Sequence, residues 1–148
     1  MKKIVAACAA TVIGFLLGTV TISFLSTVHW LIVQRPHYRG FADMVRLPIF
    51  VFLEALIWTL IGGAMFVLPQ AFVILTVYAF VFRKEWCEPS RALGARLIMF
   101  LLLYGPVYYF GFRGRPHVAV VLLGISILIG LSVGLSVLNR RLVAIHEK

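Results

Sequence analysis

From Ile4 to Gln34 the chain contains no Lys, Arg, Asp or Glu. A helix crosses a hydrocarbon core of ~30 Å with about 20 predominantly apolar residues, and this stretch is longer than that. The pattern recurs. Positions 47–82 hold Glu54 as their only charge, and positions 97–112 and 116–139 hold none. The apolar residues come in long blocks rather than short alternating runs, so lipid is the expected solvent. The third block covers only ~24 Å as a helix. It becomes long enough once Leu93 to Ala95 are added and Arg96 and Arg113 reach out to the headgroups.

The expected fold is all-α: a polytopic membrane protein with four transmembrane helices in an antiparallel bundle. A single integral membrane domain covers residues 1–148, with spans at about 4–33, 47–82, 93–112 and 116–138. Composition agrees. The chain is 62% hydrophobic and 13% charged, against about 25% charged in soluble domains. A net charge of +9 would point to nucleic acid in a soluble protein. Here the basic residues flank apolar blocks, as membrane anchors do, and no nucleic-acid partner is expected. The expected partners are the lipid bilayer and a membrane protein, either a different chain or a second copy.

Four spans place the N-terminus, the 83–96 loop and the C-terminus on one side. That side holds Lys2, Lys3, Arg83, Lys84, Arg91, Arg96, Arg140, Arg141 and Lys148, against Arg35, Arg39, Arg46, Arg113 and Arg115 opposite. The excess predicts cytoplasmic termini in a plasma membrane, a bacterial inner membrane being the best fit. Val5-Ala6-Ala7-Cys8 imitates a lipoprotein cleavage box, but only two apolar residues, Met1 and Ile4, precede it, so the first span is expected to stay as an anchor. Cys8 and Cys87 then share the reducing side, where no disulfide is expected.

Small residues suggest which helices meet. Gly14 and Gly18 form a GxxxG in the first span, and Gly130 and Gly134 form another in the fourth. Lipid supplies no hydrophobic drive between helices, so association favours sites where backbones approach closely. Along a helix Gly14 lies ~16 Å from Lys3, and Gly130 lies ~15 Å from Arg140. An antiparallel pair brings them to one depth, which predicts contact between spans one and four.

The second block is unusual. It spans ~54 Å as a helix and contains Glu54, Gly62, Gly63, Pro69 and Gln70. Pro69 removes the backbone bond to the Met65 carbonyl, and a kink is expected there. Two placements of Glu54 remain open. In a helix Trp58 and Tyr78 stand ~30 Å apart, the separation of two interfacial aromatic belts. Glu54 then lies at the headgroups beside Arg35, Arg39 or Arg46, and residues 47–56 form an interfacial lead-in begun at Pro48. Alternatively the span is 47–68, broken at Pro69, and residues 70–82 form a separate short helix or re-entrant piece. Glu54 is then buried at a cost of ~2.5 kcal/mol or more unless paired or protonated. Glu54 and Gln70 would form an ion or proton site beside a broken helix.

No catalytic, cofactor or metal site is expected. The histidines His29, His37, His117 and His146 include no pair at ligand spacing within one element. Arg35-Pro36-His37 echoes Arg115-Pro116-His117, a pair of loops able to grip an anionic headgroup. Gly124-Ile125-Ser126 and Gly130-Leu131-Ser132 lack the surroundings of a nucleophile elbow. In size and span number the chain is similar to the small multidrug transporters, which carry an essential glutamate in their first span. Residues 4–33 hold no acid, so that function is not carried over. The expected role is a non-catalytic accessory or scaffold subunit of a membrane complex. The alternative is a small transporter or ion-pathway protein using Glu54.

Overall fold

The computed structural model describes residues 1–34, 40–82, 89–109 and 117–146. They form four helices and, among the described residues, no strand. The helices are α1 (Lys2–Gln34), α2 (Phe41–Val81), α3 (Pro89–Val107) and α4 (His117–His146). Three of them, α1, α2 and α4, are long and apolar enough to cross a membrane. The remaining helix, α3, includes Arg91 and Arg96 and is ~28 Å long.

The chain is an antiparallel helical bundle in which α1 packs against α2 on one side and α4 on the other, while α3 lies against α2 and α4. Gly14 meets Gly130, Gly18 meets Ser126 and Gly134 meets Ala10. Residue numbers falling along α1 thus rise along α4, and the two helices run in opposite directions. The approach is backbone to backbone. A Cβ on Gly14 would stand 2.5 Å from the Gly130 carbonyl oxygen, and one on Gly134 would stand 3.0 Å from that of Ala10. Only glycine permits this spacing, so the two GxxxG stripes are where α1 and α4 cross.

Packing is concentrated at the end that holds the start of α1 and the end of α4. One core cluster there joins Ala6, Ala7 and Ala10 of α1, Leu75, Tyr78 and Ala79 of α2, Met99 of α3, and Leu131, Leu135, Leu138 and Leu142 of α4. The α4 leucines recur at spacings of four, three and four, one stripe of a helix. Leu138 and Leu142 are fully buried. This stripe explains why α4 continues to His146, beyond the expected end at 138: Leu142 still has a core to fill.

Other boundaries also differ from expectation. The helix α2 begins at Phe41 rather than 47, so Pro48 is inside it and starts nothing. Asp43 in the first turn favours the helix start electrostatically. Helix continues through Pro69 as well, so residues 70–81 are the same element and not a separate piece. A proline deletes one bond of the ladder, and the stretch beyond it, packed through Ala71, Leu75, Tyr78 and Ala79, continues as the same helix. On the other side α3 begins at Pro89 rather than 93, and the expected residues 110–112 lie outside the described residues.

Candidate functional site: an uncharged interhelical cavity

Above the tight core the four helices diverge around a cavity of about 500 Å³. Its α1 wall runs from Ala10 to Ile22 and its α2 wall from Trp58 to Leu75, bordered by Leu103 and Val107 of α3 and Leu123 to Leu131 of α4. Glycines contribute much of the surface: Gly14, Gly18, Gly62, Gly63 and Gly130 all line it. Where large side chains would fill a bundle, these positions leave room. The Phe15 ring covers Gly63, where a Cβ would stand 2.6 Å from it, whereas a Cβ on Gly62 would meet nothing within 4 Å.

Besides Trp58, whose indole carries an N–H, five polar side chains line the cavity: Thr11, Thr19, Thr59, Gln70 and Ser126. The four hydroxyls have their protons committed. Thr11 donates to the Ala7 carbonyl at 2.8 Å, Thr19 to Phe15 at 2.8 Å, Thr59 to Ala55 at 2.5 Å and Ser126 to Leu122 at 2.7 Å. Each satisfies itself on its own helix, as membrane hydroxyls commonly do. Gln70 does not. Its Oε1 is buried and has no hydrogen-bond partner. No Asp, Glu, Lys, Arg or His is among the lining residues.

The residues singled out as an ion or transport site separate. Glu54 is exposed, does not line the cavity, and precedes Gln70 on one continuous helix. The two stand ~24 Å apart along the axis and nearly half a turn around it. They are therefore not one site. Arg46 is exposed two turns from Glu54, and no ion pair joins them; Arg35 and Arg39 lie outside the described residues. The Ser23 and Thr59 hydroxyls meet at 3.1 Å and set the register of α1 on α2. That antiparallel register brings Glu54 level with Val28, beside His29 and Trp30. Pro69 is exposed on the outer face of α2, so it does not shape the cavity wall.

Tyr78 also departs from expectation. It is 4% exposed and donates its hydroxyl proton to Asn139 Oδ1 at 2.9 Å. Asn139 gives the tyrosine an internal partner, so its ring joins the core instead of an interfacial belt. Trp58, 67% exposed, keeps the outward position. Tyr104 stacks on Phe100 and Tyr108, and its hydroxyl donates to the Val120 carbonyl at 3.2 Å, tying α3 to α4.

Sequence reasoning found Gln70 but not Thr11, Thr19, Thr59 or Ser126 as lining residues. The glycines Gly14, Gly18 and Gly130, singled out for packing, line it as well, since small residues mark contact and cavity alike. Cys8 is exposed on α1 as a free thiol, and Cys87 lies outside the described residues. The Arg-Pro-His motifs also fall outside them, apart from the backbone of His117. Among the described residues no three His, Cys, Asp or Glu gather as a metal site.

No family model, no curated protein and no solved structure matches this chain.

Proposed function

We propose that the chain is a non-catalytic accessory or scaffold subunit, seated in a plasma membrane with four spans and both termini in the cytoplasm. The supporting observation is the first part of α2, from Phe41 to Gln70. It contributes no buried residue to the bundle, and every buried residue of the helix lies at or after Ala71. Along this stretch Phe41, Phe50, Leu53, Ile57 and Trp58 are exposed, with Glu54 among them. Lipid tails cover the apolar side chains but not a carboxylate, which turns to headgroups, water or a neighbouring protein. A cationic group on a neighbouring membrane protein covers both.

The depth of Glu54 supports the same reading. Its level on α1 is Val28, and the middle of the uncharged run from Ile4 to Gln34 is Thr19. Val28 and Thr19 stand ~13 Å apart along the axis, which puts Glu54 close to the edge of a core whose half-thickness is ~15 Å. The excess of basic residues on the side of the termini supports a cytoplasmic location for them, and a bacterial inner membrane is the compartment that fits it best.

A photo-crosslinking residue at Ile57 tests the proposal in native membranes. The expected product is one protein adduct of defined mass, lost in Glu54→Lys and absent when the probe is at buried Leu75. Lipid adducts alone at Ile57, with the same pattern in Glu54→Lys, would sink the scaffold reading. The transport alternative rests on Glu54 and predicts loss of flux in Glu54→Gln. Its site would have to be at the outer face of α2, since Glu54 is not a cavity residue.

A further inference from the structure

The seam between α1 and α4 ends in charge. Gly14 faces Gly130, Gly18 faces Ser126 and Gly134 faces Ala10, and the same register sets Lys3 level with Arg141. Lys3 lies 11 residues before Gly14 and Arg141 seven after Gly134, so each returns to within ~20° of its glycine's direction. Two cations therefore face each other at the end of the seam. A step of one residue turns a helix by ~100°, and in an antiparallel pair equal steps turn both helices to the same side. One residue later leads inward: Phe15 covers Gly63, and Leu131 and Leu135 enter the core. One residue earlier leads outward: Lys2 and Arg140 are exposed, as are Ile13, Leu17 and Ile129.

We infer that this outer face binds one anionic phospholipid, its phosphate held by Lys3 and Arg141 with Lys2 and Arg140 beside them, and its acyl chains lying along Ile13, Leu17 and Ile129. Charge calls for the anion. The only acids among the described residues, Asp43 and Glu54, belong to the first part of α2, at the opposite end of the bundle. The four cations thus have no carboxylate partner among the described residues. Glu85, Glu88 and Glu147 lie outside them, and the nine basic residues on the side of the termini stay in excess even with all three of those acids paired. Like charges at one depth repel, and a phosphate between them replaces that repulsion with charge-assisted hydrogen bonds. Position calls for the lipid. Lys3 and Ile13 stand ~15 Å apart along α1, the half-thickness of a hydrocarbon core, so chains descending from a phosphate at Lys3 cover the exposed apolar residues below it. A zwitterionic headgroup fits less well, because it brings a cation of its own to a basic face. The site is on α1 and α4, away from the first part of α2, and the failure of either proposal leaves the other standing.

Native mass spectrometry of the full-length protein in detergent tests the inference, by titration with phosphatidylglycerol or with phosphatidylcholine of the same acyl chains. One saturable phosphatidylglycerol adduct is expected, with phosphatidylcholine bound more weakly. Lys3→Gln combined with Arg141→Gln should lower phosphatidylglycerol affinity roughly 25-fold, about fivefold for each cation removed. Arg83→Gln combined with Lys84→Gln removes the same charge from the same side and should leave the affinity nearly unchanged. Inorganic phosphate at the lipid's concentration should not displace the adduct. Circular dichroism and gel filtration check that both variants are folded. Equal affinity for the two lipids in the unsubstituted protein overturns the anion assignment. An equal loss in the two double variants overturns the seam as the site, and displacement by phosphate overturns the lipid as its occupant.

Discussion

A single atom separates the glycines of this chain into two kinds. At Gly14 an added Cβ would press on the Gly130 carbonyl oxygen at 2.5 Å, a backbone atom with no rotamer to yield. At Gly62 the same atom would enter open space. Gly14→Ala should therefore force α1 and α4 apart and destabilise by about 1–3 kcal/mol, as overpacked interfaces do. Gly62→Ala should be neutral or stabilising by about 0.4–1 kcal/mol, because it restricts the unfolded chain at no steric cost. Thermal or denaturant unfolding in detergent distinguishes them; equal effects would contradict the described approach of the helices. Gln70 follows a different logic. Its buried oxygen has no partner, so Gln70→Met should raise the stability of the protein by about 1 kcal/mol. Most removals of a buried polar group act in the opposite direction.

Among the helices, α2 carries the strongest contrast within one element. Its last turns are packed into the core through Leu75, Tyr78 and Ala79, while the stretch from Phe41 to Gln70 holds no fully buried residue. Two prolines, Pro48 and Pro69, each delete a ladder bond inside it. Pro69→Ala restores a donor to the Met65 carbonyl. Amide exchange should slow over positions 65–70 and stay unchanged near Leu75, where tertiary packing already holds the helix. The Tyr78–Asn139 bond fastens the end of α2 to α4. A double-mutant cycle with Tyr78→Phe and Asn139→Leu should give a coupling of about 0.6–1.7 kcal/mol, the range found between membrane helices. No coupling would mean that the two polar groups are satisfied independently.

The whole molecule is closed at one end and loose at the middle. Leu138 and Leu142 fill the end where the termini lie, and the cavity begins at Leu131, about two turns before Leu138. Leu138→Ala should cost about 2–5 kcal/mol, since its neighbours have little freedom to collapse. Ile22→Ala, on a cavity wall, should cost less because one side of that residue already faces space. Comparing the two unfolding free energies checks the asymmetry, and similar losses would deny it.

How much of this was written in the residue order differs from feature to feature. The helical membrane character was legible, because positions 4–34, 47–82 and 116–139 hold a single charge among them, and runs of that kind have few other solutions in lipid. The meeting of α1 with α4 could also be read, because matched GxxxG depths are a one-dimensional property. Burial of Tyr78 could not, since it depends on Asn139, which belongs to another helix far along the chain. Nor could the outward position of Glu54, since a continuous helix sets its angle to Gln70 and the register against α1 sets its level. Small residues alone do not say whether they bring backbones together or leave a space between them. At Gly14 they do the first and at Gly62 the second; that choice is made by how four helices cross, and it exists only in three dimensions.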